Sequence, residues 1–251
     1  MISVVMPAHN EQGYLEPAVQ SVVAGLRERG EDFEIIVAEN GSVDGSTASA
    51  DHLGEIHDAV RVLHQPVADY GRALRAGFLA SQGQIVVNFD VDFVDLHFMD
   101  RALELLEDPT VALVVGSKRA PGSLDQRGAG RRLVTMVFTV ILRRGFGLGV
   151  SDTHGVKAMR RSDLANIVDS CQFGRDIFDT EVVLRAERAG LRVVEIPVEV
   201  AEIRPARTGI MRRIPRSLFG LARLRLALWD ISRRPEKHVS EPQRSGPGSG
   251  A

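Results

Sequence analysis

The feature that most narrows what this chain can fold into is an alternation in its first half. Short β-rich runs at Ile2–Met6, Phe33–Val37, Val60–Leu63, Ile85–Phe89 and Val111–Val115 are separated by segments whose apolar residues keep a helical spacing. Leu15, Val19, Val22 and Leu26 follow a helical period, as do Leu74, Phe78 and Leu79. Leu96–Leu106 makes a third helix, which Asp108-Pro109 breaks. This order predicts an α/β fold with a mostly parallel central sheet and helices on both faces. In such sheets ligands bind beyond the carboxyl ends of the strands, so those ends are the places to look for chemistry.

The second half is less regular. Residues 117–130 (SKRAPGSLDQRGAG) are rich in Gly, Pro and charge and predict a long loop. Arg131–Arg144 has a helical pattern, Gly155–Met159 a strand pattern, and Thr180–Ala189 is a helix ended by Gly190. Leu191–Val200 is a strand whose Pro197 requires an edge or a bulge, and Ile214–Ile231 is a last helix. The expected layout is one domain over 1–234, with a small C-terminal β/helix extension on its sheet, and a disordered tail over 235–251. A chain of 251 residues suffices for one such domain with a sizeable core.

Bulk properties set aside several classes. A net charge of -2 is not the footprint of a general nucleic-acid binder. The single cysteine, Cys171, permits no internal disulfide and fits a reducing compartment. The first strand starts at Ile2 with no signal peptide before it. No apolar run is long enough to span a bilayer, Leu133–Leu142 being the longest candidate. A cytoplasmic protein is the expectation. Charge is uneven, however: between Arg204 and Arg234 nine arginines stand against one acid, Asp230. Any anionic partner belongs there. In the last helix Arg216, Arg223 and Arg234 recur at spacings of 7 and 11, a narrow stripe among Leu218, Leu221, Leu224, Leu228, Trp229 and Ile231. Such a pattern over 204–234 suits peripheral contact with an anionic membrane face. It equally suits a helix packed on the core with its arginines in solvent.

Four strand ends carry unusual residues. In PAHNE, Pro7 to Glu11, Asn10 reads as a helix cap or as part of a pocket. In IIVAENGSVDG, Glu39 and Asn40 stand where the strand stops, and Ser42, Asp44 and Ser46 read equally as turn and cap residues. VVNFDVDF is sharper: Asp90 and Asp92 close an apolar strand, and two carboxylates so close repel each other. A hard divalent cation, Mg²⁺ or Mn²⁺, resolves that repulsion and commonly bridges carboxylates to substrate phosphates. In SDTHG, Asp152 and His154 read as an acid–base pair or as polar turn residues. Gly71, in DYGRALRAGF, allows a close backbone approach to a phosphate or simply begins a helix.

Taken together and in order, VVMPAHNEQGYLE, EIIVAENGSVDGST, YGRALRAGFLASQGQIVVNFDVD, VVGSKR, SDTHGVKAMRR, FDTEVVLRAERAGLRVVEIPV and RPARTGIMRR resemble glycosyltransferase family 2, which has the GT-A fold. Within it the chain is most similar to the dolichyl- or polyprenyl-phosphate sugar synthases, from Ile2 to about Leu226. The resemblance implies a nucleotide-binding half over 1–116 and an acceptor half over 117–234. It implies that Pro7, Ala8 and Glu11 line the nucleotide pocket. Glu39 would accept hydrogen bonds from the base, with Asp44 as the motif's second acid. Asp90 and Asp92 would hold the metal and the donor diphosphate. Lys118, Arg131, Arg204 and Arg207 would hold the phosphate of a lipid-phosphate acceptor.

The chain departs from that pattern in three places. The family's usual DDxSxD reads Glu39, Asn40, Gly41, Ser42, Val43, Asp44 here, so Asn40 gives up a charge. Where related synthases add a glutamine after the D-x-D as a metal ligand, this chain has Val94, with Asp95 beside it as a substitute or water in its place. SDTHG is one residue shorter than the common pattern, so Asp152 transfers better than His154.

The reaction implied is an inverting, metal-dependent transfer of a hexose from a UDP- or GDP-sugar to an acceptor oxygen. A phosphate acceptor is already a nucleophilic dianion near neutral pH and needs arginines to hold it. An alcohol needs a base, for which Asp152 and Glu181 are the candidates, although Glu181 also complements the dipole of the helix it starts. The arginine concentration favours the phosphate. Rival readings are a family 2 transferase acting on a soluble hydroxyl acceptor, a nucleotidyltransferase, and a non-catalytic nucleotide-sugar binder. A nucleotidyltransferase carries a Gly-rich loop with Lys or Arg after its first strand, where this chain has MPAHNEQGYLE.

Overall fold

The computed structural model describes residues 1–120, 122–125, 129–174, 177–200 and 219–228, with the backbone alone at 124–125, 129–135 and 200. Along the chain run β1 (Ile2–Ala8), α1 (Leu15–Glu28), β2 (Phe33–Asn40), α2 (Ser46–Ile56), β3 (Val60–Gln65), α3 (Tyr70–Ala80), β4 (Ile85–Asn88) and α4 (Leu96–Leu106). They are followed by β5 (Val111–Ser117), β6 (Leu124–Asp125), α5 (Ala129–Phe146), β7 (Lys157–Arg160), α6 (Arg161–Ser170), α7 (Phe178–Arg188), β8 (Arg192–Pro197) and β9 (Glu199–Val200). Residues 219–228 are helical.

The main sheet has seven strands in the order β3-β2-β1-β4-β7-β5-β8. Its pairings are parallel except where β7 runs antiparallel between β4 and β5. This is the mostly parallel α/β sheet that the alternation predicts, with a second, two-stranded sheet of β6 and β9 beside it. The order of strands reverses between β1 and β4, and the crevice at that switch point is where a sheet of this kind takes its ligand.

Both faces are covered, which explains why β1 is buried along its whole length. On one face Val4 and Met6 of β1 join Leu15, Val19, Val22 and Leu26 of α1 and Phe98 and Met99 of α4. On the other, Val5, Ile36 and Val86 join Leu74 and Phe78 of α3 and Phe178 and Val182 of α7. Successive strand side chains point to opposite faces, so neighbours in β1 feed different layers. Gly77 permits α3 to lie close against β1: a Cβ there would stand 2.3 Å from Val5 Cγ1.

Several boundaries differ from the sequence reading. Strand β2 continues through Glu39 and Asn40, which pair with His64 and Gln65 of β3 rather than following the strand's end. Polar residues remain extended there because the neighbouring strand still takes their backbone bonds. Helices α2 and α6 carry few buried residues and a weak pattern, and the sequence reading did not single them out. Residues 117–130 are not one unbroken loop, since Leu124 and Asp125 form β6 and α5 begins at Ala129. Pro197 ends β8, the outermost strand, as its missing N–H requires. Gly190 follows α7 at φ 76, a left-handed terminus that favours glycine. The remainder of Ile214–Ile231 and the tail over 235–251 lie outside the described residues.

Candidate functional site

Two loops at the carboxyl end of the sheet are laced together. Asn10 N donates to Ser42 Oγ (3.0 Å) and Val43 N to Asn10 Oδ1 (2.9 Å). Glu11 N donates to Ser46 Oγ (2.6 Å), Gln12 N to Asp44 Oδ2 (3.3 Å) and Gly45 N to Gln12 Oε1 (3.1 Å). Asn10 adopts φ 55, a left-handed conformation that asparagine tolerates. Asp44 also accepts from Ser46 N at 2.9 Å, so its two oxygens serve the loop and the start of α2. Pro7 and Ala8 are buried at the end of β1, and Ala8 pairs with Glu39. The β1–β4 ladder ends at Val5–Asn88, so Pro7 sits beyond the point where a missing N–H would break it.

Glu39 and Asn40 are both buried, and they do different things. Glu39 Oε1 accepts from Ser42 N at 2.7 Å, while Oε2 lies 3.4 Å from His64 Nδ1. Burial works against the charge of this carboxyl, but the Ser42 and His64 contacts outweigh it and hold its pKa below the usual range. His64 Nε2 in turn lies 2.9 Å from Asp51 Oδ1. Asn40 Oδ1 accepts from Asp69 N at 2.7 Å, tying the end of β2 to the start of α3, and the Asn40 carbonyl meets His9 Nδ1 at 2.8 Å. Gly71 is buried in the first turn of α3, next to the cap that Asp69 makes by accepting from Arg72 N.

Asp90 and Asp92 follow β4 in a turn closed by Phe93 N donating to the Asp90 carbonyl at 2.9 Å. The Tyr70 hydroxyl donates to Asp90 Oδ1 at 2.8 Å. Burial raises the Asp90 pKa, and the charges of Asp179 and Asp92 raise it further, against the Tyr70 bond and Lys118. Crowded carboxylate oxygens whose repulsion is left over are a donor set that fits a hard divalent cation. Among the described residues no group of three or more His, Cys, Asp or Glu forms an all-protein cage. Two carboxylates with water and substrate oxygens completing the shell is the arrangement Mg²⁺ favours. Asp95 is not placed as a substitute ligand: it caps α4, accepting from Phe98 N at 2.8 Å. Val94 packs against the core.

The acceptor-side residues divide. Lys118 holds its ammonium 6.0 Å from the centre of the Phe93 ring, beside the D-x-D turn. Arg131 lies in α5, described by its backbone alone, and Arg204 and Arg207 lie outside the described residues. Asp152 is buried, and its Oδ1 accepts from His154 N at 3.0 Å, closing its own turn. The His154 ring meets Phe138 edge-on at 5.5 Å. Glu181 is fully buried; it accepts from Gln172 N and Phe173 N and pairs with Arg185 at 2.7 Å. Those bonds give its carboxylate a structural task.

Two residues earlier, Asp179 acts on Asp90 and Tyr70 electrostatically and pairs with Lys157 Nζ at 2.7 Å. Residues two apart on a helix point to nearly opposite sides. FDTE therefore offers two acids, and it is the first whose charge bears on Asp90. Sequence reasoning missed Asp179, Lys157 and Tyr70. The signal available for the first was its own motif.

Known proteins place this site in context. Glycosyltransferase AglD of Haloferax volcanii is 30% identical over 203 residues, covering 79% of this chain but 32% of AglD, so the chain spans about a third of that relative. Dolichyl-phosphate beta-glucosyltransferase ALG5C of Trichomonas vaginalis is 27% identical over 256 residues, covering 94% of this chain and 75% of its own. The crystal structure of glucosyl-3-phosphoglycerate synthase from Mycobacterium tuberculosis, in complex with Mn²⁺, UDP-glucose and phosphoglyceric acid, shares the fold at a TM-score of 0.63 and 24% identity, covering 97% of this chain and 84% of that one. Residues 3–168 match the family model described as glycosyl transferase family 2. That span carries β1, the laced loops and the D-x-D turn, and the chain belongs to glycosyl transferase family 2.

Proposed function

We propose that the protein is an inverting, metal-dependent hexosyltransferase that moves a sugar from a UDP- or GDP-hexose to a polyprenyl-phosphate-type acceptor. The observation that carries this reading is the acid cluster at the end of β4, where Asp90 lies within the fields of Asp92 and Asp179 and is bonded by Tyr70. Asp90 and Asp92 would hold Mg²⁺ or Mn²⁺, which when bound neutralises charge on the leaving diphosphate. Pro7, Ala8 and Glu11 would line the nucleotide pocket, with Gly71 at the helix end nearby. Glu39 would present acceptor lone pairs to the base, and Asp44 would keep the two loops in register behind it. Tyr70 orients Asp90 through its hydroxyl.

The acceptor assignment draws on three supports. ALG5C is named for a dolichyl-phosphate acceptor. Lys118 stands beside the metal turn, and Arg131, Arg204 and Arg207 supply further cations in the sequence. Among the described residues no helix is long and apolar enough to cross a membrane. A second reading, transfer to a soluble hydroxyl, is favoured by Asp179, a buried carboxylate at hand to take a proton.

The test is Asp92→Ala assayed with UDP- and GDP-sugars and a polyprenyl phosphate. Transfer is expected to fall at least about 100-fold, as for the loss of a charge-stabilising group in the transition state. Mn²⁺-dependent stabilisation by the nucleotide is expected to disappear. Full transfer without metal would sink the reading. Thermal shifts with UDP and GDP, each with Mn²⁺, identify the donor nucleotide, because the tighter ligand stabilises more.

A further inference from the structure

His64, on the edge strand β3, stands between two acids. Its Nδ1 lies 3.4 Å from Glu39 Oε2 and its Nε2 2.9 Å from Asp51 Oδ1. The side chains of His64 and Asp51 are 48% and 52% exposed, whereas that of Glu39 is 5% exposed. Ion pairs as open to solvent as His64 and Asp51 add little to stability. The inner end of this bridge is the carboxylate proposed above to meet the donor base.

Strand alternation gathers these groups on one face. Val60, Val62 and His64 of β3 share the face of Ile35, Val37 and Glu39 of β2, where α2 contributes Ala50 and Leu53. The charged groups that face His64 are Glu39 from β2 and Asp51 from α2, with Glu55 one turn further along that helix. Helix α3 lies on the other face with Leu63, and its Arg72 and Arg75 pair with Asp69 and Asp169. Arg61 of β3 points to that second face, to Glu34 and the Ala80 carbonyl.

An ionised carboxylate only accepts hydrogen bonds, and a neutral imidazole carries one N–H. Contacts from both ring nitrogens to carboxylates therefore require the doubly protonated imidazolium. Burial opposes the charge of Glu39, yet the Ser42 and His64 contacts hold its pKa below the usual range, so it is ionised near neutral pH. With Oε1 fixed by Ser42 N at 2.7 Å and Oε2 by the imidazolium, the plane of the carboxylate is set before a nucleotide arrives. We propose that His64 is a positioning residue: as an imidazolium bridging Asp51 to Glu39 it fixes the Glu39 carboxylate for the donor base, and nucleotide binding weakens when the ring loses its second proton. This inference rests on the reading of Glu39 as the group that meets the base.

The sign follows from the geometry. As pH rises the ring keeps one N–H, which the shorter contact, to Asp51, retains. Nδ1 then turns a lone pair on Glu39 Oε2, which is released and must be ordered again on binding, at a cost of about 3- to 10-fold in affinity. The change falls between about pH 5 and 8, where imidazoles exchange their charge.

The test is calorimetric titration with UDP and, separately, GDP, each with Mg²⁺, at about pH 5.5 and about pH 8. Wild type is expected to bind about 3- to 10-fold tighter than His64→Ala at the lower pH and within about twofold of it at the higher. Titration of the nucleotide phosphates and of the D-x-D acids is common to both proteins and cancels in the ratio. In Asp51→Asn the new amide accepts from the imidazolium or donates to Nε2 of the neutral ring, leaving Nδ1–H to Glu39 at either pH. That variant is expected to keep an advantage of about 3- to 10-fold over His64→Ala at both pH values. A wild-type advantage absent at low pH, or equal at both, overturns the proposal, as does a wild-type decline in Asp51→Asn. A lowered thermal midpoint in His64→Ala with wild-type affinity makes the bridge a structural tie and overturns it too.

Glu39→Gln separates this inference from the reading beneath it. Weakened nucleotide binding there, with wild-type behaviour in His64→Ala, keeps Glu39 at the base and sinks the role of His64 alone. Unchanged binding in Glu39→Gln removes Glu39 from the base, and wild-type protein that binds neither nucleotide removes the donor site. Either result overturns the reading and this inference together.

Discussion

Asn40 is where the family's charge is missing, and its side chain is nevertheless engaged. Its Oδ1 accepts from the backbone N–H of Asp69, the residue that caps α3, at 2.7 Å. A neutral acceptor suffices there, and a second carboxylate beside buried Glu39 would add repulsion. Asn40→Ala leaves that N–H without its partner, so stability is expected to fall by ~1–3 kcal/mol in urea unfolding. An unchanged midpoint would show that water replaces the bond. Asp90 and Asp92 stood out in the sequence as candidates because paired carboxylates at an apolar strand end have few structural explanations. Asp179 did not, because FDTE holds two acids and choosing between them requires knowing how α7 is rotated against the sheet. Glu181, named from sequence with Asp152 as a candidate base, is held by Gln172, Phe173 and Arg185.

At the scale of elements, the first half of the sheet was readable because its strands are short β-rich runs and three of the helices between them keep an apolar helical period. Strand β7 was readable as a strand but not in direction: four residues carry no mark of being antiparallel, and its place between β4 and β5 is set by long-range packing. The β1–β2–β3 ladder contains a charge that pattern alone would not put in a core strand. Glu34 is buried; it accepts from Ser3 Oγ and Gln82 N, each at 2.6 Å, and from Arg61 Nη2 at 2.7 Å. Burial opposes its ionisation, but the Ser3, Gln82 and Arg61 bonds outweigh burial and lower its pKa. A carboxyl lowered in the folded state adds stability that is fully present above its unfolded pKa of ~4.3 and is lost as pH falls through the folded value. Thermal midpoints are therefore expected to fall below about pH 4.5. Glu34→Gln is expected to be less stable at pH 7 and to show a shallower acid decline, partly offset because Glu39 is lowered in the same direction. An equally steep decline in the variant would place the acid sensitivity elsewhere.

For the whole molecule, the near-neutral net charge of -2 conceals a one-sided surface. Residues 136–146 and 219–228 contain no acid, and they meet where Arg225 donates to the Gly145 carbonyl and lies over the Phe146 ring. Met136, Val137 and Val140 of α5 are exposed, as are Phe219 and Leu226 on the last described helix, with Arg143, Arg144, Arg223 and Arg225 exposed among them. Leu221, Leu224 and Leu228 are buried in the core, so that helix is anchored by one side and leaves apolar residues on the other. Apolar side chains at such a surface gain from entering a lipid interface, and each arginine near an anionic leaflet adds ~1 kcal/mol. The protein is expected to sediment with vesicles rich in anionic phospholipid at low salt, to be released as salt rises, and to ignore neutral vesicles. Met136→Asp with Val140→Asp is expected to weaken that binding about tenfold or more and to slow transfer to a polyprenyl phosphate embedded in vesicles. Transfer to a short-chain, water-soluble polyprenyl phosphate should be unaffected, because both side chains are exposed on α5. Equal loss with both acceptors would mean the substitutions damage the fold, and absence of sedimentation at low salt would remove the membrane from the account and favour the soluble acceptor.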